Sequence, residues 1–165
     1  MPKQIHILCV EDEPDVLDVV VRELAPLEDS FPIEAAASAD EARLRLREIR
    51  EQGDETGLIF CDHIMPGENG VEFLVDLHGD PEYAHTRKVL LTGQAGLEAT
   101  VKAVNSAGLA HYIAKPWEEK ELETVARRQL SHYIADCKYD PLPWLKDLDM
   151  NIVGDTLRDA ARADS

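Results

Sequence analysis

The 165-residue sequence contains no apolar stretch approaching the ~20 residues that a membrane-spanning helix requires. Its start, Met1-Pro2-Lys3-Gln4, runs directly into a short apolar segment without a basic leader or cleavage site, so the expected location is the cytoplasm and no membrane partner is expected. Cysteine is scarce. Cys9, Cys61 and Cys137 are odd in number and lack any paired short spacing, which argues against a disulfide framework, and all three are read as reduced. Positive charge is the minority: 17 Lys+Arg against 33 Asp+Glu give a formal charge of -16, which repels nucleic acid and anionic membrane and argues against a DNA-binding segment in the chain. Internal repeats and low-complexity tracts are absent as well. What remains is 44% hydrophobic residues in a length that buries roughly 70% of its unfolded surface on folding, enough for one domain with an appendage.

Apolar runs and helical periodicities alternate. Ile5 to Val10 is a nearly continuous apolar run suited to a strand covered on both faces. Pro14 then opens a helix whose Leu17, Val20, Val21 and Leu24 form one stripe. Phe31 to Ala36 reads as a second strand, and Ser38-Ala39-Asp40-Glu41 reads as a capping box starting a helix with Ala42, Leu46 and Ile49 inward. Gly57 to Cys61, Lys88 to Leu91 and Ala110 to Ala114 supply three more strands. Helices are predicted after each: one with Val71, Phe73, Leu74 and Leu77, one around Leu97, Val101 and Val104, and one beginning near Trp117. Five such units imply right-handed crossovers and a doubly wound α/β fold with a five-stranded parallel sheet.

In such a sheet, ligands bind beyond the C-terminal ends of the strands. Glu11, Asp12 and Glu13 follow the first apolar run, Asp62 the third, Thr92 the fourth and Lys115 the fifth, so the fold gathers them on one rim. Carboxylates crowded there repel one another, and a hard divalent cation with oxygen ligands, Mg2+, relieves the repulsion. A carboxylate beside such an ion can attack a phosphoryl group, while a lysine and a hydroxyl share the charge on its oxygens. Asp62, Lys115 and Thr92 have the chemistry for these roles.

Cys9-Val10-Glu11-Asp12-Glu13-Pro14, Asp62-His63-Ile64-Met65-Pro66-Gly67-Glu68-Asn69-Gly70, Leu91-Thr92-Gly93 and Tyr112-Ile113-Ala114-Lys115-Pro116 together resemble the receiver domain of two-component response regulators, over roughly Lys3 to Leu130. The resemblance implies a flavodoxin-like strand order 2-1-3-4-5. It also implies that Asp62 is the phosphoacceptor and that Mg2+ is held by Asp12, by Asp62, by Glu11 through water and by the backbone carbonyl of Ile64. Glu11 departs from the commoner Asp. Thr92 resembles the switch hydroxyl, Lys115 the phosphate-binding lysine and Tyr112 the aromatic whose rotamer reports activation. A cis peptide is implied at Pro116, and Ile64 and Gln94 are the residues implied to flank the path of hydrolytic water. The implied partners are a histidine kinase or phosphotransfer protein and an unidentified downstream protein. The implied role is a signalling module, not a turnover enzyme.

Plainer readings stand beside these. An Asp before a Pro/Gly loop is often a cap, Thr92 a strand-end hydroxyl, Lys115 a solvated cation and Tyr112 core. His63 reads as a solvated loop residue, and Gly67 and Gly70 read as turn residues, because the Walker spacing is absent. An aspartate-nucleophile phosphohydrolase would want a second acid where Ile64 stands. A flavin binder would want a phosphate loop where Glu11-Asp12-Glu13 stands. A receiver reduced to a docking module would lack part of the site.

Past Cys137 the rhythm stops, and Tyr139-Asp140-Pro141-Leu142-Pro143 marks a turn. The expected division is a receiver over 1–136 and a helical extension over 137–165. The stripe of Leu122, Val125, Ala126, Leu130, Tyr133, Ile134 and Cys137 runs about 30 Å from Glu118. It can be covered by Trp144, Leu145 and Leu148 of the same chain or by the same helix of a second subunit in a homodimer. The segment could also lead to a further domain.

Overall fold

The computed structural model describes residues 3–93 and 105–163. Strands β1 (Ile5–Val10), β2 (Ile33–Ala36), β3 (Glu55–Asp62), β4 (Arg87–Thr92) and β5 (His111–Ala114) form one sheet in the order β2-β1-β3-β4-β5. Every pairing is parallel. Helices α1 (Pro14–Leu24), α2 (Ala39–Glu51), α3 (Gly70–His78) and α4 (Glu121–Asp136) connect or follow the strands, and α5 (Met150–Ala163) comes last. The helix expected around Leu97, Val101 and Val104 lies outside the described residues, as does Gln94.

The apolar runs are continuous because the central strands are covered twice. Successive side chains of a strand point to opposite faces. Ile5, Ile7 and Cys9 of β1 accordingly join Leu58 and Phe60 of β3 in a cluster with Val20 and Leu24 of α1 and Leu122, Ala126 and Leu130 of α4. Leu8 and Val10 join Ile59 and Cys61 on the other face, against Ala42 and Leu46 of α2 and Phe73 and Leu74 of α3. Ser38 caps α2 by accepting from the Glu41 amide at 3.1 Å.

Among the boundaries that depart from the sequence pattern, those of β3 and α4 do so for a polar reason. β3 begins at Glu55 because Glu55 and Thr56 pair with Ile5 and His6, and the Glu55 carboxylate is taken up by Tyr133, Tyr139 and Lys3 at 2.6–2.8 Å. β2 begins at Ile33, while Phe31 is sunk in the core before it. α4 begins at Glu121 and not near Trp117, because Lys120 adopts φ 67 and the Glu118 amide donates to the Glu121 carboxylate in a local turn.

The chain after α4 folds back. A 3-10 turn over Leu142–Asp147 places Trp144 on Phe31, with ring centroids 6.4 Å apart. Leu148 and Val153 enter the apolar cluster of α1 and α4, with Leu145 and Ile152 packed against it. Polar ties fix the position: Asp147 accepts from Ser30 and, at 2.8 Å, from Arg127, while the Asp149 amide donates to Ser131 at 2.8 Å. No described helix is long and apolar enough to cross a membrane.

Candidate functional site

Parallel pairing puts the ends of β1, β3, β4 and β5 side by side. Glu11 directly follows β1, its amide donating to Ala36 at 3.0 Å, and is 1% exposed. The Asp12 amide donates back to the Glu11 carboxylate at 3.0 Å, and α1 begins two residues later with Pro14 in its first turn. Asp62 is the last residue of β3 and is buried. The His63 amide continues the pairing to Leu91 at 2.9 Å, and the Gly70 amide returns to the His63 carbonyl at 2.8 Å, closing the loop that leads into α3.

Lys115 reaches this pair from β5. Its amide donates to the Thr92 carbonyl at 2.8 Å, the Lys115-Pro116 peptide is cis, and Nζ lies 2.5 Å from Asp62 Oδ1 and 3.3 Å from Glu11 Oε1. Carboxylate oxygens of Glu11, Asp12 and Asp62 lie within 4.8 Å of one another. Glu11, Asp12, Asp62 and Lys115 are thus brought together as the sequence predicts. Thr92 sits on the same rim through its pairing with Ala114, buried, its hydroxyl donating to the Gly93 carbonyl at 3.3 Å. Tyr112 is not core: its ring is 50% exposed and lies beside His111. The Ile64 side chain, 67% exposed, offers no carboxylate to the rim.

Burial holds the Glu11 carboxyl well above the ordinary carboxylate range, and the adjacent Asp62 adds to this, against the opposing pull of Lys115. Burial alone would lower the Lys115 ammonium, but its bonds and charge attraction to Asp62 and Glu11 together outweigh that and raise it. Three carboxylates against one ammonium leave an excess of negative charge at the ends of buried strands, and a divalent cation with oxygen ligands fits that donor set. Such an ion would be held by Glu11, Asp12 and Asp62.

Two readings need correction. His63 is buried, not solvated, and its Nδ1 has no hydrogen-bond partner among the described residues. Gly67 is a turn residue at φ 78, but Gly70 is the first residue of α3, where a Cβ would stand 2.0 Å from the Asp62 carbonyl oxygen. Sequence reasoning also missed Trp117, whose indole N–H donates to Glu23 of α1 at 2.6 Å. The sequence signal for Gly70 is its place directly before the Val71, Phe73, Leu74 periodicity, inside the helix and not before it.

The family model for the response regulator receiver domain matches residues 7–127. Among curated proteins, the hydrogenase transcriptional regulatory protein HoxA of Cupriavidus necator is 34% identical over 76% of this chain and 24% of its own length. The response regulator Rre1 of Synechocystis is 32% identical over 82% of this chain and 55% of its own. The chain therefore spans only about a quarter to a half of these relatives. Among solved structures, the signal receiver domain of an HD domain-containing protein from Pseudomonas fluorescens matches with TM-score 0.69 at 28% identity, covering 81% of this chain and 99% of that one. A CheY-like receiver domain protein from Methanospirillum hungatei matches with TM-score 0.68 at 26% identity, covering 82% and 99%.

Proposed function

The chain belongs to the response regulator receiver domain family, and from that premise we propose that it accepts a phosphoryl group on Asp62 from a histidine kinase or phosphotransfer protein, with Mg2+ in the site. The observation that carries this reading is the convergence of Lys115, Asp62, Glu11 and Asp12 at the ends of three different strands. An Asp62 carboxylate oxygen attacks phosphorus. The bond from phosphorus to the donor nitrogen or oxygen breaks, and the donor leaves with that electron pair. Glu11, Asp12, Asp62 and the Ile64 carbonyl are the residues assigned to the ion, which when bound supplies positive charge to the transferring oxygens. Lys115 is assigned to one equatorial oxygen and Thr92 to another, and the movement of Thr92 toward the phosphoryl group releases Tyr112 from its outward position.

Receiver domains are signalling modules, and the reading extends this to the present chain: phosphorylation changes a protein-interaction face, and the product is a binding state, not a released metabolite. An apolar, exposed Ile64 two residues past Asp62 supports this over a turnover phosphohydrolase. Residues 1–136 are assigned to the receiver and 137–165 to a helical extension. Trp144, Leu145 and Leu148, lodged against α1 and α4, favour covering of the last receiver helix within the chain over a homodimer through it. A cytoplasmic location fits three free thiols, of which Cys9 is buried and its thiol pushed up to about 12.

The test is intact mass after incubation with Mg2+ and acetyl phosphate. Wild type should gain one phosphoryl group and Asp62→Asn none. Equal labelling of both would overturn the assignment.

A further inference from the structure

The loop from His63 to Asn69 carries the Ile64 carbonyl, and its two ends are fixed by backbone bonds: His63 to Leu91 at 2.9 Å and Gly70 to His63 at 2.8 Å. Met65 is buried, but Pro66 and Gly67 are exposed, with Gly67 in the left-handed region. The tie that reaches the exposed stretch from elsewhere in the fold comes from α2. Arg43 Nη2 donates to both carboxylate oxygens of Glu68, at 2.6 and 2.9 Å, and to Asp76 of α3 at 3.0 Å. Its guanidinium lies over the Phe73 ring, 5.2 Å from the centroid. The helix beneath is rigidly seated, since Ala42 and Leu46 on either side of Arg43 are both in the core. Arg43 and Glu68 side chains are only 27% and 29% exposed, so this charge-assisted contact is partly sheltered from water.

We infer that Arg43 is a positioning residue for the divalent cation: by clamping Glu68 it holds the loop whose Ile64 carbonyl is assigned to the ion. The inference rests on the site assignment made under the proposed function. It makes a prediction of unusual sign. Removing a cation near an acidic cluster should, by electrostatics alone, tighten Mg2+ binding. Loss of positioning should weaken it.

The experiment is calorimetric titration of the full chain with Mg2+ alone, without a phosphodonor, alongside thermal unfolding. Arg43→Gln should raise the Mg2+ Kd at least threefold. Glu68→Gln should do likewise, and the double variant should match either single one because both remove the same clamp. Arg43→Lys, which keeps the charge but loses the planar guanidinium seated over the Phe73 ring, should lie between wild type and Arg43→Gln. Asp76→Asn, which removes a contact on α3 and none on the loop, should leave the Kd unchanged. A purely structural role would lower the unfolding temperature with no change in Kd, and that result overturns the inference. Equal or tighter binding by Arg43→Gln overturns it too. Should Arg43→Gln fail to fold, Arg43→Lys carries the same test, since it leaves the net charge unchanged, and binding no weaker than that of wild type overturns the inference. Wild type that binds no Mg2+ would bring down the site assignment itself and this inference with it, an outcome distinct from wild-type binding that Arg43 does not affect.

Discussion

Gly70→Ala tests whether the first turn of α3 sets the position of Asp62. A Cβ built on Gly70 would lie 2.0 Å from the Asp62 carbonyl oxygen, 2.9 Å from its carbonyl carbon and 3.1 Å from Cys61 Sγ. Non-bonded contacts of this kind are not found below 3.0 Å, so α3 and the end of β3 must separate by at least about 1 Å. Both obstructing atoms nearest the new methyl are backbone and cannot rotate away. The separation also strains the Gly70-to-His63 hydrogen bond at 2.8 Å. Overpacking of this kind costs about 1–3 kcal/mol, and a weakened buried hydrogen bond adds about 1 kcal/mol. Because the displaced residue is the proposed nucleophile, a shift of about 1 Å relative to Lys115 is expected to cost on the order of 100-fold in labelling rate. Urea unfolding followed by circular dichroism reads the first effect, and the initial rate of labelling by acetyl phosphate, measured by intact mass, reads the second. Gly79→Ala is the control. Its φ is -76 and its nearest new contact is 3.5 Å, so it should be neutral or stabilised by about 0.4–1 kcal/mol and labelled at the wild-type rate. Gly70→Ala that unfolds within about 0.5 kcal/mol of wild type and labels as fast would refute the reasoning.

Lys88, 1% exposed and donating to the Tyr83 and Thr86 carbonyls, has its ammonium lowered to about 8 by burial and, secondarily, by Arg87. The unfolded chain holds this proton up to about 10.5, so wild type should gain stability relative to Lys88→Met as pH rises from about 8 toward 10.5; a gap that is flat or moves the other way in urea unfolding would refute this. Leu148→Ala should cost about 2–5 kcal/mol in a single unfolding transition, because Leu148 shares the core of α1 and α4; a loss under about 1 kcal/mol, or a separate transition for the extension, would show that the extension is not part of that core. Ile64→Asn should shorten the lifetime of the phosphoryl group on Asp62, since an amide can orient water where the exposed Ile64 cannot. Mass measured after removal of the donor checks this, and an equal or longer lifetime in the variant counts against it.

The rim was legible because a buried parallel strand needs apolar residues along its whole length, so a charged residue directly after one marks the strand's end and its direction. Glu11 and Asp62 are conspicuous for that reason, Lys115 follows the largely exposed edge strand β5, and strand order brings the three within bonding distance. Residues whose role depends on a tertiary contact left no such mark. Glu55 looks like a loop acid, yet three donors from three segments accept it into β3. Arg43 looks like an ordinary solvated helix residue, and only the packing of α2 beside α3 brings Glu68 and Asp76 to it. Gly70 looks like a turn because its real constraint, the proximity of a backbone carbonyl eight residues back, is a distance and not a pattern. The extension shows the same division. Its apolar periodicity states that something must be covered, but apolar surface is indifferent to whether its cover belongs to the same chain or a second copy. Polar groups are not indifferent. Asp147 between Ser30 and Arg127, and Tyr139 on Glu55, are contacts with fixed geometry to named partners in the receiver, and they give the extension one seat on the surface where hydrophobicity alone would permit several.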